Sequence, residues 1–270
     1  MAAPPSAVRP PAVRPSAAVL LLHGGAETGL GAPLPGPLNL PAVRMRPFAR
    51  SIAGALRGGG AGPGGGARPG GGAMRGGGAG SGGGVGIGGG GVLVRTVRYA
   101  HRGWNGPRED PLHDAVRALD ALGREAGEIP VVLVGHSMGA RAALRAAGHP
   151  LVRGVVGLAA WCPADDPVDQ LAGRDVVLLH STRDRITSPR ASQRLTARAR
   201  RAGARSCLVA IRGGDHAMLR RAGAWHALTA RIVTGLLGLG PLPGPVEAAL
   251  GLPPDAPAVA GTLDLDLLEG

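Results

Sequence analysis

Lysine is absent from the 270 residues, so all 30 basic side chains are arginine. Against 18 acidic residues they give a formal net charge of +12. In a protein dominated by Ala, Gly, Pro and Arg that excess reads in part as a GC-rich coding sequence, and alone it identifies no nucleic-acid partner. Cysteine is nearly missing: Cys162 and Cys207 are too few and too ordinary in spacing for a disulfide framework or a zinc site. The eight histidines are scattered, with no pair at ligand spacing, so no metal and no cofactor is expected. Three Trp, one Tyr and one Phe leave few platforms for base stacking. Long apolar runs are missing too. Residues 1–17 carry five prolines and lead only into the short run Val19 to Leu22. Neither a signal peptide nor a membrane partner is expected, and a cytoplasmic location is the default.

Glycine, at 49 residues, is abundant and unevenly placed. Residues 58–91 hold 22 glycines in 34 positions and no aromatic side chain, so they can bury almost nothing against the entropy of ordering. A flexible insertion is expected there, and closing so long a loop costs little more than closing a short one. Its Arg57-Gly58-Gly59 and Arg75-Gly76-Gly77 steps offer the only nucleic-acid reading, which lacks aromatic support and is disfavoured. Residues 1–17 read as a disordered lead and residues 240–270 as a Pro/Gly-rich acidic tail, which either docks on the basic body or is solvated.

From 18 to 239 the sequence alternates apolar runs with longer Ala/Leu/Arg segments, the rhythm of an α/β domain with a mostly parallel sheet. Six strands are expected: Ala18–Leu22, Val92–Tyr99, Pro130–Val134, Val152–Ala159, Asp175–His180 and Ser206–Ile211. Several are continuously apolar, as strands covered on both faces are. Helices are expected at Ala42–Leu56, Pro111–Ala126, Met138–Ala147, Pro189–Ala202 and Met218–Leu237. In the second, Leu112, Ala115, Val116, Leu119 and Leu122 share one face, with Asp110 as cap before Pro111.

Gly135-His136-Ser137-Met138-Gly139 lies between the third strand and the third helix. Where glycine is this common, the pattern G-x-S-x-G is a weak signal. Its weight comes from the strand-turn-helix setting, in which a strained turn exposes the serine and flanking glycines allow close approach. A serine hydroxyl needs a base, and the base needs a carboxylate to fix its tautomer. Asp184 follows the strand ending at His180, and His216 follows the strand ending at Ile211. Both then sit at the carboxyl edge of the sheet, where open α/β sheets form their crevices. Asp165 and Asp166, after the preceding strand, remain an alternative acid. His23-Gly24-Gly25 follows the first strand, and the N–H groups of Gly25 and Met138 are the natural donors to an oxyanion. Trp104 and Trp161, near the same edge, are candidate walls of a substrate cleft, with ordinary packing as the competing reading.

On Leu22-His23-Gly24-Gly25, Val134 to Gly139, His180 to Asp184 and Gly214-Asp215-His216, the protein resembles the α/β-hydrolase superfamily, in particular compact bacterial esterase-like members. The resemblance spans residues 18–239 without the glycine segment. It implies a carboxylic ester or thioester as small-molecule substrate, cleaved through an acyl-enzyme, with an acyltransferase or a non-catalytic relative as alternatives. The usual two strands before the oxyanion loop are not expected, because residues 1–17 are too short and proline-rich to form them, so the sheet is expected to be a minimal one. Only about fifteen residues separate Ala160 from Val176, so no cap domain is expected.

Overall fold

The computed structural model describes residues 14–58, 84–88 and 91–268. All six expected strands are present, as β1 (Ala17–Leu22), β3 (Val92–Thr96), β4 (Val131–His136), β5 (Val152–Leu158), β6 (Asp175–Ser181) and β7 (Arg205–Ile211). They form one parallel array. Two further strands extend it to eight, in the order β2-β3-β1-β4-β5-β6-β7-β8.

One addition falls in the glycine segment: β2 (Gly84–Gly88) pairs antiparallel with β3, so this part of the expected flexible insertion is strand. Residues 59–83, including Arg75 to Gly77, lie outside the described residues. The other addition, β8 (Thr262–Asp264), runs parallel to β7 and resolves the open question of the tail in favour of docking. Arg200 is 1% exposed; its Nη2 donates to the carbonyls of Ala256 and Pro257, and its Nη1 to that of Ser206. Arg212 to Asp264 and Arg221 to Asp266 add ion pairs. At the other end β1 begins at Ala17, one residue inside the expected lead; residues 1–13 lie outside the described set.

Strand periodicity divides the core. Leu20, Leu22, Val131 and Leu133 face one way and pack with Leu119, Ala140 and Leu195, from α2 (Asp110–Ala126), α3 (Met138–Arg145) and α4 (Pro189–Arg201). Val19, Leu21, Val132 and Val134 face the other way and pack with Phe48, Trp225 and Val246, from α1 (Leu40–Gly58), α5 (Ala222–Leu236) and α6 (Gly244–Leu250). Each strand residue thus buries its side chain under one helical layer or the other, which is why the strand sequences read as unbroken apolar runs.

Two local expectations need correction. Asp110 does not cap α2, because its carboxylate accepts from Asn105 Nδ2 at 2.8 Å and from Arg108 Nε at 3.0 Å. And α5 starts four residues after the expected Met218: Met218 and Arg221 have φ of 58° and 56°, and Asp215 Oδ1 accepts from the N–H groups of Leu219 and Arg220 at 2.9 Å. That side-chain turn outcompetes helix at this point.

Between β5 and β6 the backbone makes only a short 3-10 turn, Asp169–Leu171, so no cap domain is inserted there among the described residues. After β1 the connection passes to β3 on one side and then to β4 on the other. The loops after β1 and β4 therefore flank the point where the order reverses, the place such sheets offer a ligand.

Candidate active site

Ser137 is the hinge of the turn from β4 into α3. Its φ of 54° and ψ of −116° lie where non-glycine residues are strained, at a cost of order 1–3 kcal/mol. The fold over-determines that conformation. Ser137 N–H donates to Leu158 O at 2.9 Å, and Ser137 O accepts from Ala140, Arg141 and Trp161 N–H at 3.0–3.3 Å. The flanking glycines permit it. A Cβ on Gly135 would lie 2.3 Å from Gly139 O, and one on Gly139 would lie 2.3 Å from Leu22 O.

That approach brings the loop after β1 against the start of α3. A Cβ on Gly25 would meet Met138 Cε at 2.3 Å, so the two residues sit side by side. Neither N–H has an acceptor among the described residues; Met138 opens the helix, where no intrahelical acceptor exists. Tyr99 Oη donates to His23 O at 3.1 Å, and His23 Nδ1 lies 2.7 Å from Gly24 O, which fixes the loop.

Asp184 and His216 meet: His216 Nδ1 lies 2.8 Å from Asp184 Oδ2. With Nδ1 as donor, Nε2 is left as the basic nitrogen. The Asp184 side chain is fully buried, whereas that of His216 is 17% exposed. Burial pushes the Asp184 carboxyl upward, but donors outweigh it: His180, His216 and the N–H groups of Thr187 and Ile186 hold it well below the ordinary range. His180 Nε2 stands 3.1 Å from Asp184 Oδ2, and Thr187 Oγ1 stands 3.0 Å from it. No hydrogen bond joins Ser137 Oγ to His216 among the described residues.

Neither alternative acid is hydrogen-bonded to His216 among the described residues. Asp166 is held by Arg141 through Nε at 2.7 Å and Nη2 at 2.6 Å, and Asp165 is exposed. Arg141 in turn stacks on Trp104 and Trp161, with its Cζ 4.0 and 4.4 Å from the ring centroids. The two indoles meet edge to face at 6.2 Å. All these residues line a polar hollow of about 620 Å³, and the Trp161 N–H ties its wall to Ser137 O.

Sequence reasoning passed over His136, His180 and Thr187. His136 occupies the variable position of the serine motif. It is 2% exposed, its Nε2 donates to His216 O at 3.0 Å, and its ring lies 5.0 Å from that of His216. Its Nδ1 is buried without a partner among the described residues and abuts Gly24, whose Cβ would lie 2.9 Å away. One neutral imidazole thus braces three loops. The one legible signal is that His136 and His180 are polar residues near the carboxyl ends of otherwise apolar strands.

Burial, with the neighbouring His216, pushes the His136 imidazole down to about 3. An unfolded chain takes up this proton near pH 6.5 while the native one refuses it, so stability falls as pH drops from about 6.5 toward 3, by up to about 1.4 kcal/mol per unit. His136→Gln is expected to flatten that slope. Urea unfolding of both proteins at pH 7.5 and 5 checks it, and equal slopes would place the acid sensitivity elsewhere.

A sequence profile for an α/β hydrolase family matches residues 79–175. No curated protein matches the sequence. Among solved structures, the protein is similar to the MGS-M1 α/β hydrolase from a Medee basin deep-sea metagenome library (TM-score 0.55, 16% identity, 83% of this chain and 85% of that one). It is also similar to an esterase from Pyrobaculum calidifontis (0.53, 12%, 86% and 79%) and to Est1E from Butyrivibrio proteoclasticus (0.51, 11%, 83% and 90%).

Proposed function

We propose that this protein, which has the α/β-hydrolase fold and matches an α/β hydrolase family profile over residues 79–175, is a serine hydrolase cleaving a carboxylic ester or thioester through an acyl-enzyme on Ser137. One observation carries the reading: a serine in a strained, over-determined turn shares a sheet edge with an imidazole whose Nδ1 is held on a buried carboxylate. A fold neighbour is named an esterase, which supports the choice of ester among acyl compounds.

In this mechanism His216 Nε2 takes the hydroxyl proton as Ser137 Oγ bonds to the carbonyl carbon. The Gly25 and Met138 N–H groups stabilise the oxyanion, and Asp184 stabilises the imidazolium. As the tetrahedral species collapses, the bond to the leaving alcohol or thiol breaks and His216 returns the proton to it. Water then attacks the acyl-serine with His216 as base, releasing the acid and restoring Ser137. In this reading the Ser137 to His216 hydrogen bond forms on substrate binding, since such links are often long or poorly aligned in resting enzymes. The polar part of the ester takes the hollow walled by Trp104, Trp161 and Arg141.

The test is labelling by a fluorophosphonate probe followed by peptide mapping. One label per folded molecule on Ser137 is expected, and none when the protein is denatured before the probe is added. No label, or one on another serine, would remove the proposal.

A further inference from the structure

Eight large apolar side chains stand out into solvent among the described residues, and their placement is not random. Leu30, Leu34, Leu38, Leu40, Ile186 and Leu219, 58–74% exposed, all belong to the segments after β1, β6 and β7, at the edge that carries Ser137. Only Leu239 and Val259 lie elsewhere. Singly scattered surface leucines need no explanation, whereas a contiguous exposed set marks a contact surface.

Four of the six border two hollows at this edge. Leu34 and Leu38 border a hollow of about 280 Å³ that begins at Gly24 and Gly25. Leu40 and Leu219 border a second, of about 300 Å³, shared with Ala217, the residue after His216. Ile186 precedes Thr187, whose Oγ1 lies 3.2 Å from His216 Nδ1. The leucine loop is pinned outward by structure, because Arg102 N–H donates to Gly31 O at 2.9 Å and Gly103 N–H to Gly29 O at 3.0 Å.

Charge says what this surface suits. Arg102, Arg183, Arg185 and Arg220 are exposed beside these apolar tips, and none forms an ion pair among the described residues. Of the acidic side chains near this edge, Glu27, Glu109, Asp165 and Asp166 border the polar hollow, and Asp215 is turned onto the Leu219 and Arg220 N–H groups. Apolar tips interleaved with such arginines, on a protein of net charge +12, match the interfacial region of an anionic bilayer: apolar groups enter the headgroup boundary and guanidinium groups meet phosphates.

We propose that this rim docks on an anionic lipid surface and holds the Ser137 edge against it. A membrane partner was not legible in the sequence because these apolar and basic residues do not lie on one helix; the surface exists only where three loops come to the same edge. The proposal concerns attachment and stands whether or not Ser137 is a nucleophile.

Vesicle sedimentation tests it, with the full-length protein and phosphatidylcholine vesicles with and without phosphatidylglycerol. Binding only to the anionic vesicles, weakened by salt and equal in Ser137→Ala, is expected. Leu38→Asp combined with Leu219→Asp should weaken it roughly tenfold or more, and Arg183→Gln with Arg185→Gln should weaken it in the same direction. All four side chains are exposed, so an unchanged thermal melt serves as the folding control. No binding, or binding that these variants leave unchanged, would overturn the proposal. So would a dimer of the free protein that the leucine variant dissociates, since the surface would then belong to a second copy.

Discussion

Ser137→Ala is expected to lower ester turnover on the order of a million-fold, since loss of the nucleophile costs about as much as loss of a whole triad. The stable fold should survive. The substitution removes one oxygen that makes no hydrogen bond to His216, and the backbone bonds that hold the turn, to Leu158 O and from Ala140, Arg141 and Trp161, do not involve the side chain. The measurement is kcat for a p-nitrophenyl ester beside a thermal melt. Turnover within about tenfold of the parent, with an unchanged melt, would mean that this serine does no chemistry, because residual catalysis from binding and oxyanion donors alone is smaller by orders of magnitude.

Asp184→Asn carries the second largest effect, a fall in kcat of about 10⁴ with the melt as control. An amide cannot accept from both imidazoles and the Thr187 and Ile186 N–H groups as the carboxylate does. His216 is then free to take the tautomer that protonates Nε2, the nitrogen that must act as base. KM should change little, because Asp184 is buried beneath His216 and away from the walls of the hollow. Asp166→Asn is the informative partner. It loosens Arg141 between the two indoles and should act on KM, leaving kcat within about tenfold. If Asp184→Asn were near parent activity and Asp166→Asn were crippled, the orienting acid would be the one after β5.

The strands legible in the sequence are those whose residues are buried on both faces. Val131 to Val134 has no other use in a protein that must cover a sheet twice. β2 and β8 were not legible for the opposite reason: Gly-Val-Gly-Ile-Gly and Thr-Leu-Asp carry almost no pattern, and each acquires its strand state from a neighbour already in place. The chemical residues divide the same way. Ser137, Asp184 and His216 each end or follow a recognisable strand, so topology alone brings them to one edge. His136 and His180 act through contacts across 80 residues and across four, and neither spacing repeats a motif. The helix expected at Met218 failed because Asp215 offers a nearer side-chain acceptor, a competition that periodicity does not register.

If Ser137 is the nucleophile, a covalent bond forms between it and the substrate acyl carbon during every turnover. The most direct measurement is the mass of the protein quenched in acid during turnover of p-nitrophenyl acetate, followed by peptide mapping. One acetyl group per molecule is expected, on the peptide containing Ser137, formed at the rate of a nitrophenol burst. Steady turnover with an unmodified protein, or acetyl on any other residue, would contradict it.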